Sequence, residues 1–299
     1  MQTVSTIAEC RAAVADARGR GERIGCVMTM GALHAGHRSL LEAARDDGLT
    51  VVATIFVNPT QFGPGEDFER YPRTLEDDLA ICREAGVAIV FTPNADEIYP
   101  PGAETEVHVP NLTRPLEGRF RPGHFVGVAT VVLKLLNIVQ PDVAFFGQKD
   151  YQQAAVIRRM VRDLNVPTEI RVRPTKREPD GLAMSSRNRY LSDEERKAAL
   201  RLSRALSDAA HMLRDRQTSV DDIRSRMWAI LSEDDAVAVQ YASIADADTL
   251  EEIHSPQDLM VIAIAAKVGQ TRLIDNVVID AANAEGPAIP ELDTSETQA

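Results

Sequence analysis

The chain has 299 residues, of which 44% are hydrophobic and 26% are charged, the proportions of an ordinary soluble globular protein. This length allows a large core and predicts two domains. The formal net charge of −12 argues against a nucleic-acid partner, because proteins that bind nucleic acid usually carry a basic face or stripe.

The cysteines and the N-terminus predict a cytoplasmic location. Cys10, Cys26 and Cys82 lie far apart without a CxxC pair, which favours reduced thiols in a cytosolic protein over a disulfide framework. The first ten residues lack the basic region and apolar run of a signal peptide, and no uninterrupted apolar stretch reaches the length needed to span a bilayer. We therefore expect no membrane partner.

Alternating helical and strand patterns predict an α/β domain with a parallel sheet over the first part of the chain. The first predicted element is a helix that starts with a capping box of Thr6 and Glu9 and runs to the break at Gly19–Gly21. The elements that follow are, in order, a strand over Arg23–Met28, a helix from near Gly36, a strand over Leu49–Val57, a helix capped by Thr74 that runs to Ala85, a strand over Val87–Phe91, a loop over Thr92–Gly102, a loop over Glu117–His124, a helix over Phe125–Val139, and strands over Asp142–Phe146 and Thr168–Val172.

The rest of the chain has a different pattern. Pro174–Asp180, charged and proline-containing, predicts a domain junction. Beyond it we expect a smaller α+β domain, with helices over Asp193–Asp215 and Ser219–Ser232 and strands over Ala236–Ile244, Leu259–Val268 and Thr271–Ile279. Residues 281–299 are polar, acidic and rich in small side chains, which predicts a disordered tail.

The stretch Met28–His37, MTMGALHAGH, joins the first predicted strand to the helix that begins near Gly36. Backbone N–H groups and the macrodipole at a helix start favour a bound phosphate. His34 and His37 have the spacing to turn both imidazoles toward one phosphate and donate hydrogen bonds without a fixed charge. The alternatives are that they are ordinary loop residues or part of a zinc site, although no HExxH helix or nearby cysteine pair supports zinc.

Polar residues follow two other predicted strands. Asn58 and Gln61 come after the strand over Leu49–Val57, and Lys149 comes after the strand over Asp142–Phe146. The carboxyl ends of parallel strands share one edge of a sheet, where ligands bind. These residues are therefore candidates for contact with a polar substrate and a phosphate, against the alternatives of turn residues and a solvated lysine.

Three further groups of residues have a functional and an ordinary interpretation. Arg121, in a loop ahead of a well-anchored helix, offers a planar donor fork to an anion or is simply a surface arginine. The acids Asp77 and Asp78 suit the first turn of a solvated helix, and we favour that interpretation over a direct metal role. Residues 185–187, Ser-Ser-Arg, suit closure over a triphosphate but are also typical of a plain loop.

Several segments together resemble the pantoate–β-alanine ligase family of the HxGH nucleotidylyltransferase superfamily. They are MGALHAGH, TIFVNPTQFGPGEDFERYPRT, the RPGHF loop, FFGQKDYQQ and DGLAMSSRNRYLS, in this order over residues 28–192. The last hundred residues match mainly in length and pattern. The chain departs from related ligases in carrying AMSSR where they have KMSKS, and Gln148 where the family often has glutamate.

The resemblance implies a Rossmann-like domain over residues 1–175 that binds ATP and pantoate, a smaller C-terminal α+β domain over residues 176–280 and a homodimer. It implies ATP-dependent condensation of pantoate with β-alanine through a pantoyl adenylate, with release of AMP and pyrophosphate and with Mg²⁺ as cofactor. Two alternatives stay open. One is a nucleotidylyltransferase that leaves AMP on its product, and the other is a nucleotide-binding regulator without turnover.

The resemblance also assigns roles to individual residues. Contact with the ATP phosphates is assigned to six residues: His34, His37, Lys149, Ser185, Ser186 and Arg187. Of these, the expected catalytic residues are His34, His37, Lys149 and Arg187. Proximity to the nucleotide is assigned to Met30, Gly147 and Met184, and contact with the ribose to Asp150. Pantoate or the adenylate is assigned to Asn58, Gln61, Arg121 and Gln153, and Mg²⁺ to Asp77 and Asp78, acting directly or through water.

Overall fold

A computed structural model describes residues 1–215 and 218–281 of the chain. The described chain forms two compact units, the first made of Met1–Arg114 with Arg121–Arg173, the second of Pro115–Phe120 with the chain from Pro174 onward. The tail predicted over residues 281–299 lies, apart from Ala281, outside the described residues. In the described part, no helix is long and apolar enough to cross a membrane.

The first unit alternates strands and helices as the sequence predicts. The elements up to residue 173 are β1 (Gln2–Val4), α1 (Ile7–Gly19), β2 (Ile24–Thr29), α2 (Ala35–Asp46), β3 (Thr50–Ile55), α3 (Leu75–Glu84), β4 (Ile89–Phe91), α4 (Ala95–Ile98), α5 (Glu117–Phe120), α6 (His124–Val139), β5 (Val143–Gly147), α7 (Tyr151–Asp163) and β6 (Glu169–Arg173), with 3₁₀ turns at Pro59–Gln61 and Gln148–Asp150. Thr6 and Glu9 form the predicted capping box of α1.

Six parallel strands form one sheet in the order β1-β4-β3-β2-β5-β6. Helix α2 packs its Leu40, Leu41 and Ala44 face into the core against β2, β3 and β5. The prediction of a Rossmann-like parallel sheet is confirmed. The edge strand β1 was not predicted, because three residues of mostly polar sequence give too little periodicity to recognise.

The strand order places two loops side by side. From β2 the chain passes to β3 and β4 on one side, and it later returns to place β5 on the other side of β2. This is a topological switch point, at which the loops that follow neighbouring strands diverge and leave a crevice at the carboxyl edge. The segments after Thr29 and after Gly147 both begin at this crevice.

The second unit contains an antiparallel sheet with helices. Its elements are α8 (Asp193–Asp215), α9 (Val220–Leu231), β7 (Val237–Asp246), β8 (Leu259–Val268) and β9 (Thr271–Asp280), with the strands in the order β7-β8-β9. Ser192 and Glu195 bond reciprocally at the start of α8, as a capping box does. Helices α8 and α9 pack on this sheet around a common apolar core. The predicted smaller α+β fold is confirmed.

Three local predictions were wrong. The loop predicted over Thr92–Gly102 contains α4, capped by Asn94, and the loop predicted over Glu117–His124 contains α5. Glu117 is buried there because Arg272 pairs with its carboxylate and Tyr241 donates to it, which offsets the cost of burial. Thr74 precedes α3 without a side-chain capping bond.

Gly127 allows α6 to approach the 3₁₀ turn at Pro59–Gln61. A Cβ at Gly127 would meet the carbonyl group of Thr60 and lie 2.7 Å from the backbone nitrogen of Gln61. We predict that Gly127→Ala lowers the free energy of unfolding by ~1–3 kcal/mol, the usual cost of overpacking. Urea denaturation of the purified variant measures this loss.

Gly19→Ala is the matched control, because a Cβ at Gly19 would meet no atom within 4 Å. A methyl group at this helical position should leave the free energy of unfolding equal or raise it by ~0.5–1 kcal/mol. If Gly127→Ala were as stable as the control, the close approach of α6 to the turn would be contradicted.

Candidate active site

The turn between β2 and α2 is held by a buried carboxylate. Gly31 and Ala32 both adopt positive φ, 84° and 49°. Asp78 of α3 accepts hydrogen bonds from the backbone nitrogens of Ala32 at 3.0 Å and Leu33 at 2.7 Å. Successive N–H groups in such a conformation form an anion-binding nest. Here the nest holds an anion from the protein itself.

His34 and His37 cap the start of α2 reciprocally. His34 is the N-cap residue, and its Nδ1 accepts a hydrogen bond from the backbone nitrogen of Gly36 at 3.1 Å. The Nδ1 of His37 accepts in turn from the backbone nitrogen of His34 at 3.4 Å. The two ring centroids lie 4.1 Å apart. Both predicted histidines therefore lie together at the helix start, each fixed by a backbone group.

This capping determines where the imidazole protons lie. A ring nitrogen that accepts an N–H carries no proton, so each neutral histidine has its proton on Nε2. Burial and then the neighbouring His34 lower the pKa of His37 to about 3, while Asp150 acts in the opposite direction. His37 is thus a neutral ring that presents an Nε2–H donor.

The loop after β5 supplies charges beside the histidines. Gly147 ends β5, and Gln148, Lys149 and Asp150 form a half-buried 3₁₀ turn that leads into α7. Lys149 helps to lower the pKa of His37 and Asp150 raises it. The predicted convergence of the Lys149 loop with the histidine turn is therefore present in the structure.

Two amides form a hydrogen-bonded pair at the end of β3. Asn58, 1% exposed, donates through Nδ2 to Oε1 of Gln61 at 3.1 Å. Its Oδ1 accepts from the hydroxyl of Tyr99 at 3.0 Å. Gln61 donates through Nε2 to the sulfur of Met30 at 3.0 Å, which joins the amides to the histidine turn. Tyr99 is part of this network but was not among the predicted residues.

Arg121 is engaged by a carboxylate of its own unit. Its Nε and Nη2 donate to both oxygens of Glu66 at 2.7 and 2.6 Å, and its Nη1 lies 3.0 Å from Nε2 of His124. Burial tends to raise the pKa of Glu66, but the hydrogen bonds and charge of Arg121 bring it below the ordinary value. The guanidinium fork is thus already arranged to hold a carboxylate.

The remaining predicted residues lie as follows. Gln153 is half-buried in the first turn of α7, and Asp77 is exposed in the first turn of α3. In the second unit, Ser185 caps a 3₁₀ helix over Ser186–Tyr190 by accepting from the backbone nitrogen of Arg187, with Met184 half-buried ahead of it. The segment predicted as a loop at residues 185–187 is therefore a capped helical turn.

Asp78 does not fit a direct magnesium ligand. It is 1% exposed, and both of its oxygens accept backbone N–H groups. Within residues 1–215 and 218–281, no group of three His, Cys, Asp or Glu side chains is placed to hold a metal ion. A role of Asp77 or Asp78 toward Mg²⁺ stays a prediction of the resemblance.

The sequence and the structure match proteins of one family. A sequence model of the family described as pantoate-beta-alanine ligase matches residues 2–278. Pantothenate synthetase from Moorella thermoacetica is 52% identical over 280 residues, covering 94% of this chain and 99% of the relative. Pantothenate synthetase 1 from Bradyrhizobium diazoefficiens is 53% identical, covering 93% and 98%.

Solved structures agree with the sequence matches. The crystal structure of pantothenate synthetase from Thermus thermophilus has a TM-score of 0.88 and 47% identity, covering 93% of this chain and 99% of that chain. Pantoate-beta-alanine ligase from Francisella tularensis, complexed with "Beta-gamma ATP and Beta-alanine", has a TM-score of 0.75 and 33% identity, covering 93% and 97%.

The lowered pKa of His37 predicts a pH dependence of stability. Between pH 6.5 and about 3, His37 binds a proton in the unfolded chain but not in the folded one. Above this window neither state binds that proton, so the free energy of unfolding carries no penalty from His37. As the pH decreases through the window, the unfolded chain gains the proton first and the free energy of unfolding falls. We predict that His37→Asn loses less stability than the wild type between about pH 7.5 and 5, as measured by urea denaturation at both pH values.

His211→Asn, which replaces an exposed histidine of α8, should keep the wild-type pH slope. Equal slopes for His37→Asn and the wild type would show that the folded protein does not disfavour the protonated ring at position 37.

Proposed function

The chain belongs to the pantoate-beta-alanine ligase family, and on that premise we propose that it joins pantoate to β-alanine through a pantoyl adenylate formed from ATP. The observation that carries the proposal is the family match over residues 2–278, with relatives about half identical along nearly the whole chain. The relative from Francisella tularensis, complexed with "Beta-gamma ATP and Beta-alanine", supports ATP as a substrate.

In the first proposed step, a carboxylate oxygen of pantoate bonds to the α-phosphorus of ATP. The bond from that phosphorus to the β-phosphate breaks, and pyrophosphate leaves with the electron pair. Negative charge grows on the phosphate oxygens, so catalysis requires donors that are already in place. His34 and His37 supply Nε2–H groups fixed by the backbone, and Lys149 supplies a cation beside them.

By the resemblance, the residues that contact pantoate include Asn58 and Gln61, which follow β3, and Arg121, which precedes α6. Asn58 and Gln61 already orient each other's amides, and Met30 ties Gln61 to the histidine turn. One oxygen of the pantoate carboxylate can accept from the guanidinium of Arg121, where Glu66 now lies, which leaves the other oxygen to attack the phosphorus. This arrangement suits alignment of pantoate for in-line attack, with Gln153 as the further predicted contact.

In the second proposed step, the amine of β-alanine attacks the acyl carbon of the adenylate. The carbon–oxygen bond to phosphate breaks, AMP leaves and the amine loses a proton, which gives pantothenate. This sequence requires no nucleophile from the protein. Catalysis then depends on alignment and on shielding the mixed anhydride from water.

Several parts of the proposal stand on the resemblance alone. They are contact of Met184, Ser185, Ser186 and Arg187 with the nucleotide, contact of Asp150 with the ribose, the use of Mg²⁺, a homodimer and a cytoplasmic location. Family membership favours ligation over a nucleotidylyltransferase that leaves AMP on its product and over a regulator without turnover. No observation in the described chain favours either alternative.

Pantoate-dependent exchange between ATP and labelled pyrophosphate, measured without β-alanine, tests the proposal. Formation of a reversible adenylate predicts exchange that requires pantoate and is followed by AMP and pantothenate when β-alanine is added. Tight ATP binding without exchange would contradict the adenylate.

Removal of the Lys149 side chain should slow adenylation without lowering the stability of the fold. We predict that Lys149→Ala lowers the rate of pantoate-dependent exchange by ~10²–10³, the range for losing one preorganised donor. The unfolding midpoint should change little, because Lys149 lies in a half-buried turn outside the core clusters.

Lys197→Ala is the control for charge. Lys197 is exposed and pairs with Glu194 on α8. Such surface pairs contribute ~0–1 kcal/mol, so this variant should keep both rate and stability. An undiminished single-turnover rate in Lys149→Ala would remove Lys149 from the mechanism.

A further inference from the structure

We propose that Asp78 is a positioning residue of the nucleotide site. It acts as an internal anion that occupies the backbone nest at residues 31–33. It thereby fixes the backbone that leads to His34 and His37. The inference rests on the proposed function, because its effect is measured on nucleotide binding. It also gives Asp78 a role other than magnesium coordination.

The turn that Asp78 holds contains a residue in a strained conformation. Ala32 has a φ of 49°, in the left-handed region that residues with a Cβ rarely adopt. Such a conformation persists only where the surroundings enforce it. The carboxylate accepts from Ala32 and from Leu33, so it orients the two peptide groups that flank this residue.

Gly31 shows that the turn and the carboxylate fit each other closely. It has a φ of 84°, and a Cβ there would lie 3.0 Å from Oδ2 of Asp78. The backbone nitrogen of Gly31 bonds to the hydroxyl of Thr29, which itself donates to the carbonyl of Thr54. The turn is therefore tied to β2, β3 and α3 before it reaches the histidines.

The next residue after the nest is the cap of α2. Leu33 receives the shorter of the two Asp78 bonds, 2.7 Å, and His34 follows directly. Because His34 and His37 cap α2 through backbone and ring nitrogens, a shift of the preceding peptide moves the donors that face the phosphate. Displacement of a preorganised donor weakens binding even when the residue itself is intact.

The burial of Asp78 distinguishes a positioning role from direct binding of a metal ion. Mg²⁺ keeps several waters and is held through carboxylates and substrate phosphates, which requires an accessible oxygen. Asp78 is 1% exposed, whereas Glu76 and Asp77 of the same helical turn are exposed. An effect of Asp78 on the nucleotide should therefore not depend on the metal.

Isothermal titration of ATP into Asp78→Asn, in EDTA and again with Mg²⁺, tests this inference. The asparagine keeps one acceptor and turns an NH₂ group toward a backbone N–H, so we expect roughly tenfold weaker binding in both buffers. Glu76→Gln, the control in the same turn, should bind ATP as the wild type does. The titrations are run well below the unfolding midpoint of each variant.

Two results would overturn the inference. One is unchanged ATP affinity in EDTA with lowered stability, which would make Asp78 merely structural. The other is a loss of affinity that appears only with Mg²⁺, which would make it a metal ligand. Failure of the wild type to bind ATP would instead contradict the proposed function.

The double variant Ala32→Gly/Asp78→Asn keeps the test valid if Asp78→Asn folds poorly. Glycine adopts the conformation of residue 32 without strain, so this variant should fold and recover part of the lost affinity. No recovery in a folded double variant would show that Asp78 does not act through the turn.

Discussion

The reciprocal cap formed by His34 and His37 is the constraint on which the site depends. A helix start has backbone N–H groups without helical partners, and here two imidazole nitrogens accept from two of them. The same bonds leave each neutral ring with its proton on Nε2. One pair of side chains thus caps the helix and, in the proposed function, also supplies uncharged donors to a phosphate.

The sheet determines where the site residues lie, and the loops after its strands carry their polar and charged side chains. Because β2 lies between β3 and β5, the histidine turn, the amide pair at the end of β3 and the Lys149 turn all begin at one edge. Each loop is fixed by bonds within its unit, such as Asp78 to the peptide of Leu33 and Asn58 to Gln61. Fixed donors fit the proposed reaction, in which the protein aligns two substrates and forms no covalent bond to either.

The sequence predicted what short-range patterns determine. Periodicity located the main helices and strands, and the switch point explains why residues after separate strands converge. The partners of these residues were not predictable, because they come from distant parts of the chain. Glu66 meets Arg121 across 55 positions, Tyr99 meets Asn58 across 41, and Asp78 meets Leu33 across 45. The acidic start of α3 suggested helix capping or a metal, and only the three-dimensional structure shows a carboxylate held in a nest.

Tracing oxygen from pantoate labelled with ¹⁸O in its carboxylate tests the account most directly. If that carboxylate attacks the α-phosphorus and the amine then breaks the carbon–oxygen bond, one labelled oxygen must remain on the phosphate of AMP. We predict one ¹⁸O in each AMP formed and none in pyrophosphate, as measured by mass spectrometry. Unlabelled AMP, or label in inorganic phosphate, would contradict the adenylate.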